Sequence, residues 1–366
     1  MNRRRLLATL SAVGSSALAG CAGYQELGDG RENDTPTATP DGYVPRSELQ
    51  RGARKDAIPA ITDPVFGEDW ADVDAAPLRG TNDVIGVVRD GEPRAYPLRV
   101  LNWHEVVNDS FGGPLLVTYC PLCGSAVVAV REAGGESATF GVSGLLYKND
   151  LVMYDRATDS LWSQIEARAI NGELVGERLQ LVPSSFTTWD EWTTEYPDTG
   201  VLLPPPESGT ITDAAPRDYD KDPYGGYEYS GRIGIGGSYD DDRLHPKTTV
   251  LGVARGGEAR AYPLDRVIEA GGVVNDEVGG VPVVVAVTGD RDGSLVGYER
   301  RVDGETLTFE KEGATLVAGR SEWNPLTGRA TDGPHEGTTL TVANERSPMF
   351  FFAWLEFYPE TTVYDA

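Results

Sequence analysis

The chain has 366 residues with 57 Asp and Glu against 32 Lys and Arg, a formal net charge of −25. That balance disfavours a nucleic-acid partner, because phosphate recognition needs clustered cations. With 40% hydrophobic residues, 7 Trp and 16 Tyr, there is material for a real core and global disorder is excluded.

Only five of the cations are Lys, and the acids are spread along the whole chain. A solvated acidic surface of this kind suits high salt, where charges are screened within about 3 Å at 1 M, so a halophilic source is expected. Residues 1–20 (MNRRRLLATLSAVGSSALAG) carry Arg3, Arg4 and Arg5, then a short apolar run, then small residues. This is the pattern of an export signal, with paired arginines of the twin-arginine type. Leu18-Ala19-Gly20-Cys21 resembles a lipobox, which makes Cys21 the lipidation site and places the protein at the cell surface, anchored to the outer face of the cytoplasmic membrane. Residues 21–53 are polar, without periodicity, and read as a flexible tether.

An internal repeat organises the remainder. Residues 86–98 (GVVRDGEPRAYPL) match 252–264 (GVARGGEARAYPL) at an offset of 166, and Val106-Val107-Asn108-Asp109 matches Val273-Val274-Asn275-Asp276 at 167. Trp192 with Tyr196-Pro197 recurs as Trp354 with Tyr358-Pro359. The expected organisation is lobe 1 at 54–203, a connector at 204–249 that is functional or wrapped over the second lobe, and a degenerate lobe 2 at 250–366. In each lobe a strand (84–88, 250–254) leads through a glycine turn to a second extended run. Pro97 or Pro263 then sits in the first turn of a short helix. An apolar β-branched strand follows (114–119, 281–287), then further short strands. Each lobe closes on a short amphipathic helix, the first with Thr188 and Glu191 at capping-box spacing. The fold class expected is α+β, β-rich, in two duplicated lobes with short helices.

Repeated residues report on scaffold; residues unique to one copy report on chemistry. Arg94, Tyr96, Asn108 and Asp109 recur and read as structural. His104 aligns with Gly271, Cys120 with Val287 and Cys123 with Asp290, so the imidazole and both thiols belong to lobe 1 alone. Cys120-Pro121-Leu122-Cys123-Gly124 has the form of a metal knuckle. No second Cys pair exists for a four-cysteine site, and Gly124 stands where a c-type haem motif needs His. Two thiolates and an imidazole, with Met153 as a thioether candidate, form a soft donor set that favours copper. The expected site is Cys120, Cys123, His104 and Met153. The bland readings are a core methionine, a satisfied structural histidine and a simple disulfide. A thiol-disulfide oxidoreductase is the alternative from another class, weakened because the residues after Cys123 read as a strand and not as the helix of a thioredoxin-type site.

The chain resembles the exported proteins of the domain-of-unknown-function 3179 family over about residues 54–366. The resemblance is carried by Asp56-Ala57-Ile58-Pro59-Ala60, Arg94-Ala95-Tyr96-Pro97-Leu98, His104-Glu105-Val106-Val107-Asn108-Asp109, Tyr119-Cys120-Pro121-Leu122-Cys123-Gly124, Met153-Tyr154-Asp155-Arg156 and Arg243-Leu244-His245-Pro246-Lys247. It implies a shared fold and brings no activity with it. The functional expectation is a membrane-anchored, extracytoplasmic lipoprotein that binds copper for delivery or electron transfer, with a metal-accepting or redox partner protein and no nucleic acid. A non-catalytic binding or structural lipoprotein with one disulfide is the third reading.

Overall fold

The computed structural model describes residues 40–289 and 293–365. The protein is β-rich with four short α-helices: α1 (Leu98–His104), α2 (Trp189–Glu195), α3 (Leu264–Glu269) and α4 (Phe351–Phe357). Among the described residues no helix is long and apolar enough to cross a membrane. The export signal, Cys21 and most of the tether lie outside the described residues.

The expected β-rich class with short helices stands, but six principal sheets are arranged as a six-bladed propeller and do not clearly divide into the two duplicated lobes expected. Each half of the sequence contributes three blades, and pairing order repeats between them. In the first half, Asp83–Arg89 pairs antiparallel with Ser185–Thr188 and with Glu92–Pro97, which is joined in parallel by Gly200–Leu202. Thr249–Arg255, Met349–Phe350, Glu258–Pro263 and Thr362–Val363 repeat the pattern. The physical reason for one ring is a shared core: a single apolar cluster contains Cys120, Cys123, Met153 and Trp162 together with Val250, Ala261, Met349 and Phe351 to Trp354.

The scaffold contacts recur bond for bond. Trp192 Nε1 donates to Thr199 Oγ1 at 2.9 Å, and Trp354 Nε1 to Thr361 Oγ1 at 2.8 Å. Asp109 accepts from Arg94 and from the Tyr96 hydroxyl, as Asp276 does from Arg260 and Tyr262. Asn108 bonds both the N–H and the C=O of Phe140, and Asn275 does the same to Phe309. These buried and half-buried side chains replace backbone partners that adjoining sheets cannot offer one another.

The expected strand bounds fall within a residue of the observed ones. Pro97 and Pro263 stand just before α1 and α3 as caps, with φ of −65°. Thr188 does cap α2, accepting the Glu191 N–H at 3.3 Å, but the Glu191 carboxylate leaves the capping box to bond Thr187 and Thr288. The folded body begins before residue 54: Val44 is buried and bonds Ile170, and Gln50–Arg51 pairs with Leu145 and Leu146. Apolar side chains at Val44 and Leu49 recruit this stretch into a small cluster with Val152 and Ile170, so the tether ends earlier than its composition suggests.

Candidate metal centre

The strand Leu115–Cys120 is buried at every residue, as its unbroken apolar run requires. It delivers Cys120 to its end, where Pro121 and Leu122 turn the chain and the Cys123 N–H closes on Cys120 O at 3.0 Å. Gly124 then takes φ of +62°, which lets Ser125–Val130 return antiparallel. A Cβ at Gly124 would also lie 3.2 Å from the Phe350 ring, and Phe350 donates its N–H to Cys123 O at 2.9 Å. The second half thus clamps the cysteine turn of the first.

Both cysteines are free thiols and buried. The hairpin Phe140–Tyr147 and Asp150–Asp155 reaches over them, and Cys123 Sγ lies 3.4 Å from the backbone carbonyl of Asn149. At its tip the fully buried Asp150 uses Oδ2 to accept from Ser163 Oγ and the Ile165 N–H, both at 3.0 Å. Asp150 Oδ1 is buried without a hydrogen-bond partner. Donor atoms of Cys120, Cys123 and Asp150 all lie within 4.8 Å of one another. Two thiols and a carboxylate that has one unpaired oxygen form a donor set that fits a metal ion, since an unpaired buried oxygen otherwise carries its full desolvation cost. The corresponding hairpin of the second half, Glu310–Glu312 with Thr315–Ala318, is shorter and ends in a glycine turn. Asp150 has no counterpart there.

Glu105 stands behind the thiols. It caps the end of α1 in the left-handed region with φ of 57°, and its backbone carbonyl accepts the Tyr119 N–H at 2.8 Å. Burial, with the neighbouring Asp150 charge adding to it, pushes Glu105 up to about 8 despite a hydrogen bond from the Tyr224 hydroxyl at 3.1 Å. Burial likewise raises Asp150 to about 7, and raises the Cys123 thiol, with Cys120 and Asp150 adding to the effect. Lys247, of the His245-Pro246-Lys247 string, is lowered to about 8 chiefly by burial; its ammonium sits 3.5 Å above the Tyr227 ring and bonds the Arg232 carbonyl.

His104 does not join the thiols. It is fully buried, with Nδ1 2.7 Å from Pro59 O and Nε2 2.9 Å from the Tyr219 hydroxyl. Both nitrogens are therefore engaged, and burial holds the ring neutral, with its pKa lowered to about 4. Met153 lies in the strand Asp150–Asp155, opposite Val142 and Trp162, within the apolar cluster that also contains the cysteines. Its register counterpart is Leu316, opposite Lys311 and Trp323, which marks the position as core packing. The connector covers this first-half site, where besides Tyr219 and Tyr224, Lys221 O accepts from Trp103 Nε1 at 3.1 Å, and its end also bonds the second half, Arg243 donating to Thr361 O at 2.7 Å. A cleft of about 210 Å³ opens beside Pro121, lined also by Tyr119, Asp222, Tyr224, Tyr227 and Phe350.

Residue patterns missed the two buried carboxyls near the thiols, Asp150 of the candidate cluster and Glu105. In a chain with 57 acids only two signals pointed to them: an Asp directly after the Lys148-Asn149 turn and opening an apolar strand, and a Glu whose aligned residue is Gly272. No curated protein and no solved structure matches the chain. A family match does span residues 55–361, covering the cysteine turn, the Asp150 hairpin and the connector, and it places the chain in the family described as "Protein of unknown function (DUF3179)".

Proposed function

We propose that this is an extracytoplasmic lipoprotein, held at the outer face of the cytoplasmic membrane by a lipid on Cys21, whose folded body binds a transition metal at Cys120, Cys123 and Asp150. It delivers that metal to an accepting partner or uses it in electron transfer. The observations that carry the metal reading are the buried trio of Cys120, Cys123 and Asp150 donors within 4.8 Å and the Asp150 Oδ1 that has no hydrogen-bond partner. Thiolates select copper and zinc over hard cations. Copper leaned on His104 and Met153 as additional soft donors; with Asp150 in their place the set moves toward divalent ions of the zinc class.

The thiol-disulfide alternative draws no comparable support. Exchange enzymes use an accessible thiol of lowered pKa, whereas both thiols here are buried and that of Cys123 is pushed up. We further propose that the two halves descend from one duplicated unit, and that the acidic surface is an adaptation to high salt. The metal reading is tested by metal analysis of reduced, full-length protein beside its variants. About one ion per chain in the wild type and in His104→Ala, lost in Cys120→Ser and Asp150→Asn, is the expected result. Full occupancy in Asp150→Asn, or its loss in His104→Ala, contradicts the proposed ligand set.

A further inference from the structure

The two halves can be read against each other at the end of α1. Glu105 holds a left-handed backbone, and its counterpart Gly272 has φ of +81°. An L residue in that region costs about 1–2 kcal/mol, so the first half keeps a glutamate where glycine is the unstrained choice. Such strain at a buried polar residue points to use of its side chain.

The second half shows what that side chain can reach. A Cβ on Gly272 would lie 2.8 Å from Cδ of Lys311 and 3.1 Å from its Cε. The Lys311 ammonium, one bond further on, donates to Val287 O at 2.9 Å and to Gly289 O at 2.8 Å. By strand register Val287 is the counterpart of Tyr119, whose N–H bonds Glu105 O as that of Val287 bonds Gly272 O, so the two carbonyls flank Thr288, the counterpart of Cys120. The Asn108–Phe140 and Asn275–Phe309 bonds tie the neighbouring strands in the same way in both halves. Glu105 therefore starts beside the end of the strand that carries Cys120, its own carbonyl bonded to the Tyr119 N–H at 2.8 Å. In the second half the Lys311 side chain lies against the strand end that corresponds to the one carrying Cys120.

Cys120, Cys123 and Asp150 supply three donors, and a tetrahedral ion of the zinc class takes four. In the structure, Glu105 Oε1 accepts the Tyr224 hydroxyl. We propose that Glu105 is the fourth arm of the centre, turning from Tyr224 to the ion, and that the resulting two-thiolate, two-carboxylate set selects a divalent cation over Cu(I). The inference rests on the metal reading above. Carboxylates are hard anionic donors and favour the higher charge, while Cu(I) is served by sulfur alone.

Cobalt(II), a spectroscopic stand-in for zinc, tests it on the full-length reduced protein. The wild type is expected to show thiolate-to-cobalt charge transfer with the visible bands of a tetrahedral ion. Glu105→Gln keeps the charge-transfer band, shifts the visible bands and binds about tenfold or more weakly. Glu105→Gly, which installs the residue the second half uses and relieves the backbone, gives the same loss and covers a folding failure of the first variant. Tyr224→Phe binds at least as tightly as the wild type. Affinity within twofold and unchanged visible bands in both Glu105 variants overturn the fourth arm and leave the three-donor centre standing. A wild type without any thiolate-to-cobalt band overturns the centre itself, and the fourth arm with it.

Discussion

Burying two carboxyls beside two thiols sets how the protein responds to pH. Glu105 and Asp150 reach about 8 and about 7 in the folded chain, against about 4 when exposed. Between those values the folded state holds more protons than the unfolded one, so stability falls as pH rises. His104 acts in the opposite sense, but only below about 6.5, because its folded value is lowered to about 4. Lys247, lowered to about 8, adds stability only as pH rises above that point. The window from 6.5 to 8 therefore isolates the two carboxyls. Chelator-treated protein is expected to lose about 2 kcal/mol across it, measured by urea unfolding at constant salt, and the Glu105→Gln, Asp150→Asn double variant to lose much less. A wild-type profile that is flat in this window contradicts the assignment. The same residues mark what one sequence makes legible. The thiols stood out because Cys is rare and absent from the second copy. His104 was absent from the second copy for another reason: its ring is fastened by Tyr219 of the connector, a segment the repeat does not contain.

At the scale of elements, the repeat was readable because it is enforced by close packing. Gly86 and Gly252 lie flat against the rings of Trp192 and Trp354, and a Cβ at either would sit 2.2 Å from a ring carbon. The glycines are conserved between the copies by contact, not by turn geometry. Gly86→Ala and Gly252→Ala are each expected to destabilise the protein by about 1–3 kcal/mol through overpacking, by similar amounts, in chemical denaturation. A cost at one position alone would show that the two contacts are not equivalent. Strand positions were likewise legible from apolar β-branched runs, as at Val281–Val287. The longer hairpin tip of the first half was not, because Lys148 and Asn149 adopt left-handed turns that differ from the second copy by local loop chemistry alone. That tip is what carries Asp150 over the thiols.

At the scale of the whole molecule, the two halves close one ring, and the division of labour lies within it. The first half supplies the donors. The second supplies a clamp: Phe350 bonds Cys123, Ser347 Oγ accepts the Ala126 N–H at 2.7 Å, and Arg346 reaches the Ile165 carbonyl. Two duplicated lobes are the natural expectation from a tandem repeat, but pairing order along a chain does not say whether the halves share a core, and here the largest apolar cluster draws on both. The connector completes the enclosure over α1, so the centre is buried from every side while a cleft beside Pro121 approaches it. The central claim is that Cys120, Cys123 and Asp150 hold the ion. X-ray absorption at the zinc edge of the reduced, zinc-loaded full-length protein tests this most directly. The account predicts two sulfurs at about 2.3 Å with oxygen neighbours at about 2.0–2.2 Å; a zinc shell without sulfur, or one with no oxygen, would contradict it.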